Sequence, residues 1–479
     1  MDSQDPFVLC TSLLRQIEQR HESTVLEPMQ STIGAAIERC RAYIDVGVSL
    51  PWAFYATGVF YLLLKKPYES FTAYTKAIDL SSADWMIDKS LQGIQRLAVI
   101  HDELPGYEWV ERLHVLACAS TNKEGGGHKA LLHIKRLARG HNQISGPVSI
   151  VAGGCDARID PRLNEYRELL FGAFKGFRGT IISGGTTAGI SALVGDVQEQ
   201  YKEDVITIGY VPRLTSVKAP IDRRYREIRP TDGTDFSPLE AITYWGDLIA
   251  SGIAPSSVKF IGIDGGSVSA SEYRIALALG APIGILEGSG HEAAQLLADR
   301  DWHSSPKLLP LPANVLMIRA FIRSGIPTLA PETRETLARA IHEEYRASQQ
   351  RTKLKDDPSM ADWDVLNASL KQSNREQADD IVYKLHEIGY TTREMREGNV
   401  RLMRFTDEEV ERLAEMEHAR WMLERLRSGW RWGPEKSVED KVSPYLVPWQ
   451  LLSEEVKGWD RNTVRQIPQY LEKMGIEVR

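Results

Sequence analysis

Three short apolar runs that each stop at a pair of glycines constrain this chain more than any other feature. Val148–Ala152 runs into Gly153-Gly154-Cys155, Thr180–Ser183 into Gly184-Gly185-Thr186-Thr187, and Val258–Ile263 into Asp264-Gly265-Gly266-Ser267. Two further apolar runs, Val205–Gly209 and Ile283–Leu286, complete a set of five expected strands. Helical patterns follow the runs at Pro161–Phe174, Thr187–Tyr201, Pro238–Ser251, Ala270–Leu279 and Glu292–Asp299. Unbroken apolar strands suit a parallel sheet covered on both faces. Their alternation with helices predicts a doubly wound α/β domain over residues 148–330. Twenty of the 37 glycines fall in residues 148–290, as expected where backbones turn tightly or approach a ligand.

In open parallel sheets, ligands lie outside the carboxyl ends of the strands. Glycine there exposes backbone N–H groups, and the following helix N-terminus adds positive potential. The candidate ligand residues are therefore Gly153, Gly154, Cys155, Ser183, Gly184, Gly185, Thr186, Thr187, Gly265, Gly266, Ser267 and Ser269. A phosphate or pyrophosphate suits such a rim, whereas purely structural turns would also need the glycines. The spacing is neither GxGxxG nor GxxxxGK[ST], so a standard dinucleotide fingerprint and a P-loop are both excluded. Arg223, Arg224, Arg226 and Arg229 cluster in a loop-like stretch, with Arg213 and Lys218 before them. Arginine forks match phosphate oxygens. Arg224 and Arg226 are expected ligand contacts in a flap, unless the stretch is simply a solvated loop or touches a neighbouring subunit.

Residues 1–145 read as helices. Within Trp52–Ser82, Phe54, Gly58, Tyr61, Tyr74 and Ala77 recur at the spacing of a tetratricopeptide helix hairpin. Gly58 would let the second helix approach the first, with Tyr61 and Tyr74 filling the space. Ser70 and Ser82 depart from that repeat's alanine and proline. A degenerate repeat that docks proteins and a generic helical bundle both remain open. Residues 331–360 read as a charged helix and a linker, with Gln350–Pro358 polar throughout most of its length. Residues 361–479 return to helices and hold six of the 11 tryptophans.

Residues 148–290 resemble the SLOG superfamily, which includes Lonely-guy cytokinin-activating enzymes and the amino-terminal region of melastatin-type TRP channels. IISGGTTAGISALVGDV and FIGIDGGSVSASEYRIALALGAPIGIL carry the resemblance to the channel version. The second segment also lines up with the enzyme motif PGGxGTxxE, from Asp264 to Glu272. The resemblance implies a Rossmann-like fold and a nucleotide ligand. It also implies, for an enzyme, an N-glycosidase in which Glu272, alone or with Asp264, stabilises a cationic sugar. Asp264 replaces the motif's proline and Val268 its third glycine. The Arg-Lys pair that assists cleavage in the enzymes is absent from Pro238–Ser251. Glu272 is also expected to act as a ligand contact. Alternatively it caps its own helix or pairs with Arg274.

In residues 361–479, Thr406-Asp407-Glu408-Glu409 is a capping box, and Glu417 interrupts the apolar stripe behind it, so it needs a buried partner or a ligand. EHARW, GWRWG, KVSPYLVPWQLL and WDRNTVRQIPQYLEKMG follow in order, and this series resembles the repeat domain of ryanodine receptors. The resemblance implies a small-ligand or nucleotide module. Its candidate contacts are Glu417, His418, Arg420, Trp421, Trp432, Lys441, Trp449 and Arg461. For Trp421, Trp430, Trp432 and Trp449 packing is the first expectation and ligand stacking the alternative, and for His418 a structural hydrogen bond comes before an acid or base role.

Composition narrows the setting. Net charge is −7, spread as −1, −2 and −4 over residues 1–147, 148–330 and 331–479, so no basic arm exists for nucleic acid. The longest apolar run, Trp52–Leu64, has 13 residues, too short to span a bilayer. Cys10, Cys40, Cys118 and Cys155 form no CxxC pair, which excludes a zinc ribbon, and no metal site is expected. MDSQDPF lacks the pattern of a signal peptide, and a cytoplasmic location is expected. The whole reads as a multidomain sensor, helical, then doubly wound α/β, then mainly helical. It would bind an ADP-ribose-like or cyclic nucleotide, need no other cofactor, and act through a partner effector or as a homo-oligomer, in a setting such as antiphage defence. A nucleotide N-glycosidase and a non-catalytic scaffold are the alternatives.

Overall fold

A computed structural model describes residues 5–121, 126–155, 159–214, 220–349, 357–394, 403–473 and 475–478. The chain forms two compact units, Met1–Ala313 and Asn314–Arg479. Among the described residues, no helix is long and apolar enough to cross a membrane.

The first unit opens with helices α1 (Pro6–Arg20), α2 (Gln30–Asp45), α3 (Trp52–Leu63), α4 (Pro67–Asp79), α5 (Asp84–Gln95), α6 (Tyr107–Thr121) and α7 (Gly126–Leu137). Helices α3 and α4 form a close hairpin, and Gly58 makes it possible. A Cβ there would lie 2.8 Å from the Tyr74 ring, and Ser70 donates to the Gly58 carbonyl at 2.8 Å.

The sheet comprises β1 (Val148–Gly153), β2 (Gly179–Ser183), β3 (Val205–Pro212), β4 (Glu227–Thr231), β5 (Lys259–Ile263), β6 (Ile283–Leu286) and β7 (Leu308–Leu311). Its order is β4-β3-β2-β1-β5-β6-β7, and every pair is parallel. All five expected strands form. The stretch around Arg229, expected to be a loop, is instead strand β4, and β7 is also an addition. Each is an edge strand containing a proline, Pro230 or Pro310. Proline breaks the strand signal in sequence yet is tolerated where no neighbour needs its N–H.

The crossovers are α8 (Leu163–Phe174), α9 (Gly189–Gln200), α10 (Pro238–Ala250), α11 (Ser267–Ala278) and α12 (His291–Ala298). From β1 the chain steps outward to β4, then returns to β5 and steps the other way. Right-handed crossovers then place α8 and α9 on one face and α11 and α12 on the other. Helix α10 packs with α11, with α6 and α7 over α10 and α4 over α11. The amino-terminal helices and that face of the sheet share one hydrophobic core, from Ile17 and Phe60 through Trp245 to Ile150, Phe260 and Ile283.

The second unit contains α13 (Val315–Arg323), α14 (Pro331–Gln349), α15 (Ala368–Glu387), α16 (Asp407–Arg427), α17 (Glu454–Arg465) and α18 (Ile467–Lys473). Two small strand pairs join β8 (Thr392–Glu394) to β11 (Ile476–Val478) and β9 (Arg431–Trp432) to β10 (Val442–Ser443). The expected capping box is present: Thr406 accepts from the Glu409 N–H and Glu409 from the Thr406 N–H. Leu337, Ile381, Leu413, Trp449 and Val464 build the core. Most of the expected linker, residues 350–356, lies outside the described residues.

Candidate functional site

The direction of strand addition reverses between β1 and β5, so their carboxyl ends flank the switch point where open α/β sheets bind ligands. Two of the three glycine pairs meet there. The Gly154 N–H donates to the Ile263 carbonyl at 3.1 Å. A Cβ on Gly153 would lie 2.1 Å from that same oxygen, and one on Gly154 would lie 3.4 Å from the Asp264 carboxylate. Gly265 has φ +104°, and its Cβ would meet Ser269 at 2.5 Å. Gly153 thus serves close backbone packing and Gly265 a left-handed turn against Ser269, while Gly154 has room for a side chain at ordinary contact distance. Gly266 differs: it is exposed, caps α11, and a Cβ there meets nothing within 4 Å. It leaves the α11 N-terminus, with exposed Ser267, open at the switch point. Ser269 is buried and donates to the Gly153 carbonyl at 3.3 Å. Cys155 is exposed at the end of β1.

Beside this opening sits a pair of residues with left-handed backbones, Asp264 (φ 60°) and His291 (φ 40°). Such conformations cost energy in residues with side chains and collect at functional sites. Asp264 is over-determined. Its carboxylate accepts from its neighbour's N–H, Gly265, at 2.6 Å and meets His291 Nδ1 at 2.6 Å. Its own N–H donates to Ser289 Oγ at 3.0 Å, and Tyr273 donates to its carbonyl at 2.9 Å. Nothing in the sequence reading selected Ser289, His291 or Tyr273. The signal for the first two was present: Gly288-Ser289-Gly290-His291 follows β6 as the other glycine turns follow their strands.

Glu272 lies on α11 facing α10, with the Tyr244 hydroxyl 3.5 Å from its carboxylate. Burial, then the Glu240 carboxylate, pushes it up to about 8. Arg274 does not relieve it, because Arg274 engages Asp299 at 3.2 Å and the Ala270 carbonyl. Asp264 is held by His291 and Glu272 by Tyr244, so the two carboxylates do not form one hydrogen-bonded pair.

The remaining expected contacts are largely spent inside the protein. Ser183 donates to the Val151 carbonyl at 2.7 Å. The Thr186 N–H donates to Ser191 Oγ at 2.9 Å and the Thr187 N–H to Pro220 at 3.0 Å. Gly185 accepts from the Asp222 N–H, and its Cβ would lie 2.8 Å from Val211. Gly184 packs beside Ser191. Helix α9 is likewise occupied at its start, where the Ile190 N–H donates to Gly154 at 3.0 Å. Arg224 clamps Asp222 at 2.6 Å and also binds Asp196. Arg229 is buried against Asp247 at 2.7 Å and Glu227 at 2.8 Å. Arg226 precedes β4 opposite Thr207, away from the carboxyl edge. Arg223 is exposed and Arg213 approaches Asp232 at 3.9 Å; Lys218 lies outside the described residues. The arginine cluster therefore ties β4 and the segment before it to α9 and α10. Among the described residues, Arg162, which precedes α8, brings a cation to the turn after β6 by donating to the Gly288 carbonyl.

In the second unit, Glu417 has the buried partner its position demanded. Lys384 contacts it directly, and Arg420 holds it at 2.6 Å. These two cations keep its carboxyl down at about 2 despite burial. His418 is buried, with Nε2 2.9 Å from the Val447 carbonyl and its ring stacked on Trp421 at 5.7 Å. Trp449 is in the core and donates to Glu411, which also receives Arg461 at 2.6 Å. Trp432 is 61% exposed on β9. Lys441 donates to the Ser428 carbonyl at 2.9 Å. His418 joins Trp421 to Trp449, whose ring lies 5.8 Å from it and carries Arg461 at 5.9 Å, while Glu417 with Arg420 forms a buried ion-pair group and Trp432 and Lys441 lie at the β9–β10 pair.

Fold and site together define a chain with a helical amino-terminal part, a central parallel α/β sheet and a helical carboxyl-terminal part. A family model described as the RyR domain matches residues 396–479. The match covers α16 to the carboxyl terminus, a narrower span than the 361–479 of the sequence resemblance.

Proposed function

We propose that the carboxyl edge at β1 and β5 binds a nucleotide-derived ligand, ADP-ribose-like or cyclic, and that the chain relays this to a partner effector. The observation that carries it is the open α11 N-terminus at Gly266 and Ser267, set at the switch point. A phosphate at a helix N-terminus needs no arginine clamp. In this reading the centre is a Rossmann-like SLOG domain, the amino-terminal helices a tetratricopeptide-like docking or self-association surface, and the RyR domain a second ligand module. Nucleotide-sensing antiphage defence in the cytoplasm is the setting that suits this combination.

A nucleotide N-glycosidase is the second reading, favoured by the strained Asp264–His291 pair. Glu272 argues against it. A carboxyl held at about 8 is largely protonated at neutral pH; it can donate a hydrogen bond but lacks the charge to stabilise a cationic sugar. Calorimetry with ADP-ribose and cyclic nucleotides tests the sensor, using Gly266→Trp, which fills open space at the rim. Affinity should fall ~tenfold or more, about 1.4 kcal/mol, with an unchanged melting temperature. Unchanged affinity removes α11 from the site. Free base released in turnover amounts, and lost in Glu272→Ala, establishes the hydrolase instead. No binding of any of these nucleotides favours the scaffold.

A further inference from the structure

A second candidate site lies among the amino-terminal helices, independent of the switch point. A cavity of about 550 Å³ opens between α1, α3 and α5, within the range of small-molecule sites. Its wall is apolar: Leu14 from α1, and Trp52, Tyr55 and Val59 from α3. Three cations stand around it, Arg15, Lys89 and Arg96, and none of its fifteen lining residues is acidic.

Two polar groups of the wall are already engaged. Ser90 is 3.0 Å from His114 Nε2, and Tyr55 is 2.8 Å from Ser81. Burial pulls His114 down to about 4, so this bond adds no charge. Arg15 and Lys89 are exposed, and the nearest carboxylate to Arg96, Glu18, is 3.8 Å away and half exposed. An apolar body is thus matched by the wall and a negative head by the rim, where long cationic side chains can follow a head group.

We propose that this cavity binds a single-chain amphiphile with an anionic head, a long-chain carboxylate or an alkyl phosphate. Apolar enclosure supplies affinity, and the cations select the sign of the head group. An acidic peptide fits less well, since walls made of helices offer no edge strand for a backbone.

The test is calorimetry on the full chain with dodecanoate, dodecyl phosphate, dodecanol and dodecyltrimethylammonium, each below its micellar concentration. One or both anions should bind at one per chain, the alcohol at least tenfold more weakly, and the cation not at all. Preference between the two anions identifies the head group, and either result supports the site. Gly93 lies in the last turn of α5 at the wall, and a Cβ there meets only Leu14 at an ordinary 3.6 Å. Gly93→Leu should therefore fill the cavity, abolish binding and keep the fold, since leucine is the better helix former. The exposed Lys89→Glu should weaken anion binding roughly fivefold without filling space. Failure of both anions to bind, equal binding of all four probes, or full affinity in both variants overturns the proposal.

Discussion

Two glutamates on helices, Glu272, part-buried, and Glu417, buried, are pulled in opposite directions. Glu272 has a tyrosine and another carboxylate for company and sits at about 8. Glu417 has Lys384 and Arg420 and sits at about 2. The difference extends to their surroundings. Around Glu417 the fold spends side-chain charge: Lys384 also pairs with Asp380 at 2.5 Å, and Arg420 with Glu424 at 3.0 Å. At the switch point it spends backbone, with glycines in close approach and two left-handed residues, and so leaves side chains and helix N–H groups for a ligand. A charged residue that interrupts an apolar stripe is therefore ambiguous until its partners are known.

The contrast breaks most forcefully at Lys384. Removing it leaves Glu417 and Asp380 short of a cation in a buried setting. Lys384→Met should cost about 3–5 kcal/mol in urea unfolding of the second unit. Lys384→Met with Glu417→Leu should regain a large part of that loss, because two apolar side chains need no ion pair. No recovery would mean that the network, rather than desolvation of one carboxylate, holds the helices.

A backbone test comes next. Gly265 and Gly266 are neighbours with opposite requirements. Alanine at 265 would be forced into φ +104° and into Ser269, and should cost about 2–3 kcal/mol by thermal or urea unfolding. Alanine at 266 meets open space and should change stability by less than ~0.5 kcal/mol. Equal effects would show that the switch-point turn is not held by backbone geometry.

This pair also marks how far sequence can be read. The five inner strands were legible because unbroken apolar runs survive in a doubly covered sheet. Both edge strands were hidden by their prolines. Gly153, Gly265 and Gly266 were legible as a set, but not their separate jobs, which depend on what a Cβ would strike. Arg224 read as a ligand contact and Arg229 as part of a loop-like basic cluster because their partners, Asp196 and Asp247, lie on α9 and α10, distant in sequence. His291 was missed because its meaning comes from Asp264, 27 residues earlier.

The smallest effect is the one that most sharpens the comparison, and its sign depends on pH. Glu272 carries a folded pKa raised above its unfolded value, so the folded state keeps the proton longer. Between the unfolded value near 4.5 and about 8, rising pH therefore lowers stability through this group; above 8 the deficit is constant. Glu272→Gln removes the deficit. The variant should match the parent near pH 4 and exceed it at pH 9 by about 2 kcal/mol, a figure reduced from the full linkage because the side chain is partly exposed. Glu417 runs the other way: its stabilisation is present above about 4.5 and is lost as pH falls toward 2. Melting curves of the parent, Glu272→Gln and Glu417→Gln from pH 3 to 9 separate the two. A Glu272→Gln variant less stable than its parent at pH 9 would mean that the carboxylate has a partner beyond Tyr244, and the side chain would then no longer be spare for a ligand.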